Sequence, residues 1–303
     1  MKGLWMIMLM AVALCAAWED NAPEDIRRNY VEAETVLNET PCDWRDSVGS
    51  IMRPAVKNCR SAKEATLLIA SRMTELTGVY YSMDRRKSNM NALEALAEKK
   101  VSCTGQSILL VCALRSVGIP ARAVCVQTWS HVPGNHTWTE AWIDGEWHMI
   151  EFNEHDFNTP WVMENIGLLN LQRPENRIYA AAPGSHQIIR YGRSVVQVED
   201  VTERYTRLAR AWYAQKKLPA GHQRLMVDVR PRPTESLLLT LESEDGKALA
   251  TAYSPTERDD VRQYTTFNLP ENGRYYLRLQ GKERRDPVQA TSQPAQMKLL
   301  VND

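Results

Sequence analysis

An α+β fold is expected: N-terminal helices and a small antiparallel sheet, followed by a C-terminal antiparallel β-sandwich domain. Three observations predict it. Apolar residues recur at helical spacing from about Ser61 to Arg115. Two alternating runs, 136–143 and 146–152, flank Asp144-Gly145, the strongest short-range hairpin signal. Beyond about Leu218, helix signals stop and short apolar strands alternate with turns. The chain has 303 residues, comfortable for two domains, and 44% of them are hydrophobic, enough to bury a core without staples. Lys plus Arg number 37 and Asp plus Glu number 37, so the zero net charge favours neither nucleic acid nor an anionic membrane as partner.

Residues 1–17 read as a secretory signal peptide: Lys2 opens it, Leu4 to Ala17 is apolar, and charge begins at Glu19. Export to the periplasm or the medium is the expected localisation. Val12-Ala13-Leu14-Cys15 also resembles a lipoprotein cleavage box, with a large Leu14 where a small residue is usual. Membrane attachment is expected only if Cys15 is lipidated, because no later segment is apolar enough to span.

Residues 18–60 form an N-terminal helical segment, polar with scattered apolar positions, and Pro23-Glu24-Asp25 fits a helix start. A helix is expected from Ser61 to Leu76, stopped by Gly78. Asp84 to Asn91 is loop-like, and Asn91 caps a short helix, Ala92 to Lys99. Ser102 caps the next helix, which starts at Cys103, closes at Gly118 and cannot resume past Pro120. Residues 121–128 read as a strand, Trp129 to Asn135 as a loop, and 136–152 as the hairpin. Residues 201–217 are a connector, and 218–303 carry the β-sandwich, with strands near 225–229, 236–242, 264–269, 275–279 and 297–301.

The six cysteines divide by surroundings. Cys42 and Cys59 are close in sequence within a polar region and are expected to pair as a disulfide. Cys112 and Cys125 lie among apolar residues and read as buried thiols. Cys103 stands at a helix N-terminus, where unpaired N–H groups and the helix dipole lower a thiol's pKa and can stabilise an oxyanion. Gly105, one turn in, is expected to leave space for a substrate.

His136 opens the hairpin. With Asp144-Gly145 as a two-residue turn, Ile143 pairs with Glu146, which sets Trp138 opposite Glu151 and His136 opposite Asn153. His136, Glu151 and Asn153 then share a face, and Glu151 can orient the imidazole as the acid of a Cys–His–acid triad does. Asn153 is the secondary orienter, and Glu154, of opposite parity, a weaker one. Trp129, just before His136, is a candidate for lining a substrate cleft. Trp138, Trp142 and Trp147 read as core, and Arg115 and Arg122 as packing or salt-bridge residues. His131, His148 and His155 lack the spacing of a zinc site, so neither a metal nor another cofactor is expected.

The runs CTGQSILLVCALRSVGIPARAV (103–124) and HTWTEAWIDGEWHMIE (136–151) resemble the transglutaminase-like superfamily. The match covers roughly residues 60–155. That resemblance implies a papain-like catalytic domain, here 61–200, with Cys103 as nucleophile, His136 as base and an acid that is usually Asp where this chain has Glu151. It implies amide chemistry through a thioester, with hydrolysis expected over cross-linking and a protein, peptide or peptidoglycan-type amide as substrate. The rival reading is a non-catalytic binding or assembly protein that keeps the core as scaffold, its C-terminal domain holding a glycan or protein partner. A redox role for Cys103 with Cys112 or Cys125 lacks a C-x-x-C.

Overall fold

Pro23 precedes helix α1 (Glu24–Tyr30), whose first turn places Glu24 and Asp25 at the positive end of the helix dipole. The structure, a computed structural model, describes residues 22–130, 134–192, 194–215, 221–259, 264–290 and 295–300. The expected signal peptide, residues 1–17, and Cys15 lie outside the described residues. Two compact units divide the chain, Met1–Arg210 and Ala211–Asp303. Among the described residues no helix is long and apolar enough to cross a membrane.

The helical character expected over the polar N-terminal stretch is interrupted after Tyr30. Residues 31–44 are held instead by their own carbonyl groups. Arg45 donates to the Val31 and Ala33 oxygens, and Trp44 donates to Glu34. Helix α2 (Arg45–Val56) follows. Helix α3 (Ala62–Ser71) is capped by Ser61, whose Oγ accepts from the Glu64 N–H. The single helix expected as far as Leu76 breaks at Arg72 and restarts as α4 (Met73–Thr77), ended by Gly78 in the left-handed region. Strand β1 (Tyr80–Tyr81) comes next. Helix α5 (Ala92–Glu98) has a full capping box between Asn91 and Glu94. Strand β2 (Lys100–Val101) runs parallel to β1 and leads into helix α6 (Cys103–Arg115). Every residue of α6 except Gln106 is buried, so it is the central helix of the core.

The expected Cys42–Cys59 disulfide is absent, and both thiols are free. They flank α2, a rigid helix about 18 Å long that lies between them in the chain.

A six-stranded antiparallel sheet covers α6. Its strands are β3 (Ala121–Val126), β4 (His136–Ile143), β5 (Glu146–Ile150), β6 (Ile178–Ala181), β7 (Ile188–Tyr191) and β8 (Ser194–Asp200), in the order β5-β4-β3-β6-β8-β7. Helix α7 (Pro160–Gly167) lies between β5 and β6 in sequence. Asp144 and Gly145 both have positive φ, 52° and 87°, the two-residue turn that matches strand twist. The register is the expected one, from Ile143 opposite Glu146 to Thr139 opposite Ile150. Ala121, Ala123, Ala141, Ile143 and Ile150 on one face join the core around α6.

Arg122 and Glu140, paired across β3 and β4, occupy the other face. Helix α8 (Thr202–Gln215) supplies Arg204 and Tyr205 to the same cluster. Arg122 Nε donates to Glu140 Oε2 at 2.8 Å, and Arg204 and the Tyr205 hydroxyl donate to Oε1. Burial opposes ionisation of Glu140. Arg122 and Arg204 outweigh it, so its pKa lies below the usual glutamate range.

The second unit contains two facing sheets. One has the order β11-β10-β13-β14 and the other β12-β9-β15. The strands are β9 (His222–Arg230), β10 (Leu238–Ser243), β11 (Ala248–Tyr253), β12 (Thr265–Pro270), β13 (Arg274–Leu279), β14 (Arg285–Gln289) and β15 (Ala295–Leu300). Leu225, Val227 and Phe267 from one sheet and Leu239, Leu241 and Leu277 from the other share one core. The expected β-sandwich is therefore present. Among the described residues its one departure from antiparallel pairing is β15, which runs parallel to β9. The preceding strand, β14, belongs to the other sheet, so no tight hairpin dictates the direction of β15.

Glu140→Ala should lower unfolding stability by about 3 kcal/mol, because it removes the buried carboxylate that Arg122, Arg204 and Tyr205 share and leaves Arg122 only its half-exposed partner Glu199, 2.9 Å away. Urea titration checks this. In the parent protein the Glu140 contribution is complete above about pH 4.3, the ordinary glutamate value. It is lost as pH falls through the lowered folded-state value, and the variant should not show that loss.

Candidate active site

Cys103 is the first residue of α6, and Ser102 sets the helix start, accepting from the Gly105 N–H at 3.0 Å and donating to Ser88 O at 2.7 Å. The thiol is 8% exposed. The next residue, Thr104, shares a 3.1 Å hydrogen bond with Thr137, the residue after His136. Tyr191 completes a triangle of hydroxyls, bonding Thr104 at 2.9 Å and Thr137. The triangle ties the start of α6 to the start of β4, and so brings the backbones carrying Cys103 and His136 together.

Gly105 has a different purpose from the one expected. A Cβ there would stand 2.9 Å from Val101 Cβ, so the missing side chain lets α6 pack on β2 rather than admitting a substrate.

His136 is 4% exposed, and its Nε2 donates to Glu151 Oε1 at 2.5 Å. In the neutral ring the proton then resides on Nε2, which leaves Nδ1 as the basic atom. Glu151 follows the last residue of β5 and reaches His136 from just beyond the ladder. Its second oxygen, Oε2, accepts from Thr159 Oγ1 at 2.5 Å. Thr159 is the N-cap residue of α7, and Trp161 on the first turn of α7 meets the His136 ring edge-on at 4.7 Å. Trp129 is buried and stacks on His136 at 6.5 Å, and Trp138 lies at 5.9 Å. Trp129 is therefore a wall of the histidine's environment.

Asn153 does not orient His136. The ladder ends at Ile150, and Asn153 turns away with φ 65°. Its N–H donates to Ala70 O and its side chain is engaged by Thr74. The pairing of His136 with Asn153 fails because the strand stops before reaching it.

Arg122 has the salt-bridge role expected of it. Arg115 makes hydrogen bonds only to backbone carbonyls, those of Ala33, Thr35 and Ala121. His148 has opposite parity to His136 and packs on Phe157. His131 lies outside the described residues. Thr159, Trp161 and the Thr104–Thr137–Tyr191 triangle were missed by sequence reasoning. Thr159-Pro160 is a recognisable helix start, and it was the available signal for the first two.

The transglutaminase-like superfamily model matches residues 50–152, a span that holds Cys103, His136 and Glu151. These residues form a transglutaminase-like core. Among solved structures, one similar protein is a candidate cysteine protease from Cytophaga hutchinsonii, at 18% identity, covering 44% of this chain and 43% of that one, with TM-score 0.35. Red sea bream transglutaminase is 12% identical over 90% of this chain and 65% of its own, with TM-score 0.40. A candidate protease from Parabacteroides distasonis is 10% identical over 64% of this chain and 32% of its own, with TM-score 0.32. The chain thus spans less than two thirds of each. No curated protein matches it.

Burial pushes the Cys125 thiol up to about 12, with Cys103 nearby adding to the rise, and burial raises Cys112 well above the usual thiol range. Both should resist iodoacetamide at pH 8 in the native protein and be alkylated after unfolding, as peptide mass mapping will read. Omitting reductant should leave Cys42 and Cys59 in unlinked peptides.

Proposed function

We propose that the chain is a thiol enzyme that cleaves amide or peptide bonds through a thioester on Cys103, with hydrolysis favoured over cross-linking. The observation that carries this reading is the 2.5 Å bond from His136 Nε2 to Glu151, on a strand locked beside the helix that Cys103 opens. His136 Nδ1 takes the Cys103 proton and Glu151 steadies the imidazolium. The thiolate attacks the carbonyl carbon, and N–H groups at the start of α6 receive the oxyanion. The C–N bond breaks as His136 returns its proton to the leaving amine. Water, deprotonated by His136, then splits the thioester, releasing the acid and the thiol. Water is the abundant acceptor outside the cell, where Lys2 and the apolar run to Ala17 would direct the chain.

One observation favours a second reading, the non-catalytic scaffold. Cys103 is only 8% exposed, and His136 is 4% exposed with Trp129 stacked on it at 6.5 Å.

The test is iodoacetamide labelling of the full chain against pH, read by intact mass. Under the enzyme reading Cys103 labels below the ordinary thiol value of about 8.5, and His136→Ala and Glu151→Gln raise that midpoint. A Cys103 with an ordinary midpoint, unmoved by either substitution, would sink it. On an amide substrate found by screening, His136→Ala should cost about 10²–10⁴-fold in kcat.

A further inference from the structure

The C-terminal end of α6, opposite the end that Cys103 opens, borders a cavity of about 390 Å³. Three guanidinium side chains line it, Arg45 and Arg53 from α2 and Arg115 from α6, together with Glu32, Asp46 and Gly118. Arg45 and Arg115 converge on a single acceptor. Arg45 Nη2 is 3.2 Å from Ala33 O, and Arg115 Nη1 is 3.1 Å from the same oxygen. Two positive side chains are thus held side by side with backbone carbonyls as their hydrogen-bond partners.

Among the described residues, no carboxylate reaches ion-pair distance of Arg45, Arg53 or Arg115. Of the two acids in the lining, Glu32 is bound by Arg27. Arg53 is exposed and makes no hydrogen bond among the described residues, its guanidinium lying over Gly49, where a Cβ would meet Nη1 at 2.3 Å. Arg115 is 3% exposed and still lines the cavity, its Nε and Nη1 engaged by backbone carbonyls. Burial pushes Arg115 down to about 10, and Arg45 beside it adds to the fall against the opposing effects of Cys112 and Glu39. Arg45 also lies over the Trp44 ring at 4.5 Å, but the three guanidinium groups carry more positive charge than Glu32 and Asp46 offset. An anion that accepts from all of them supplies the missing attraction, and the planar guanidinium fork suits phosphate and carboxylate oxygens.

We propose that this cavity is an oxyanion-binding site that takes a small molecule through its phosphate or carboxylate group, held among Arg45, Arg53 and Arg115. The site is separate from the thiol chemistry and does not depend on it.

The test uses the full chain, titrated calorimetrically with inorganic phosphate and, separately, with citrate, against chloride at matched ionic strength. A saturable isotherm and a ligand-dependent rise in Tm are expected with at least one probe, and the probe that binds identifies the anionic group. Arg53→Gln, at an exposed position that makes no hydrogen bond, should fold normally and weaken binding about tenfold or more. Asp46→Asn removes a negative charge from the lining and should tighten it. The proposal falls if neither probe gives a saturable signal beyond chloride. It also falls if Arg53→Gln binds as tightly as the parent, or if Asp46→Asn weakens binding.

Discussion

The register of the β4–β5 hairpin is the constraint on which the rest of the first unit depends. Asp144 and Gly145 close it in two residues, both in the left-handed region. A shift of one residue would move every side chain to the opposite face. In the observed register Ala141, Ile143 and Ile150 fill the core around α6, while Trp138 and Glu140 point to the side where α8 packs. The same alternation puts His136 among tryptophans and Thr137 against Thr104. Core packing and the presentation of the histidine are two results of one turn.

Polar groups then hold what the register aligns. The Glu140 carboxylate is fully buried and receives Arg122, Arg204 and Tyr205. Tyr205 also accepts from Trp138 at 2.6 Å, and Trp138 packs on His136. A continuous run of contacts therefore links the ion cluster to the imidazole. On the other face, Thr104, Thr137 and Tyr191 satisfy one another in the interior, where an unmade hydrogen bond is costly. Helix α7 contributes at its start, with Thr159 on the Glu151 carboxylate and Trp161 on the ring. Glu151 and His136 are thus each backed by a group on a different element.

Much of this was legible from local chemistry. Ser102 and Asn91 were readable as caps, Gly78 as a helix stop and Asp144-Gly145 as a turn, because each of those features is decided within a few residues. The pairing of His136 with Glu151 followed from counting along the hairpin. Misreadings arose where distant groups decided the outcome. Asn153 was placed opposite His136 by extending the count past the true end of β5, which Ala70 and Thr74 fix by binding Asn153. Gly105 was assigned to substrate access, whereas Val101 requires it. Cys42 and Cys59 are close in sequence, but a twelve-residue helix intervenes and both thiols are free.

The sequence by itself determined the α+β class, the helix that opens at Cys103, the hairpin register and the nearness of Glu151 to His136, because periodicity, capping and turn chemistry are local properties. Only the tertiary structure decided which hydroxyls meet beneath the helix start, which threonine holds the glutamate and which arginines gather at the far end of α6. Those contacts join residues tens of positions apart, such as Thr104 with Tyr191 and Arg115 with Ala33. Their partners are chosen by packing of whole elements, and no spacing rule along the chain encodes that choice.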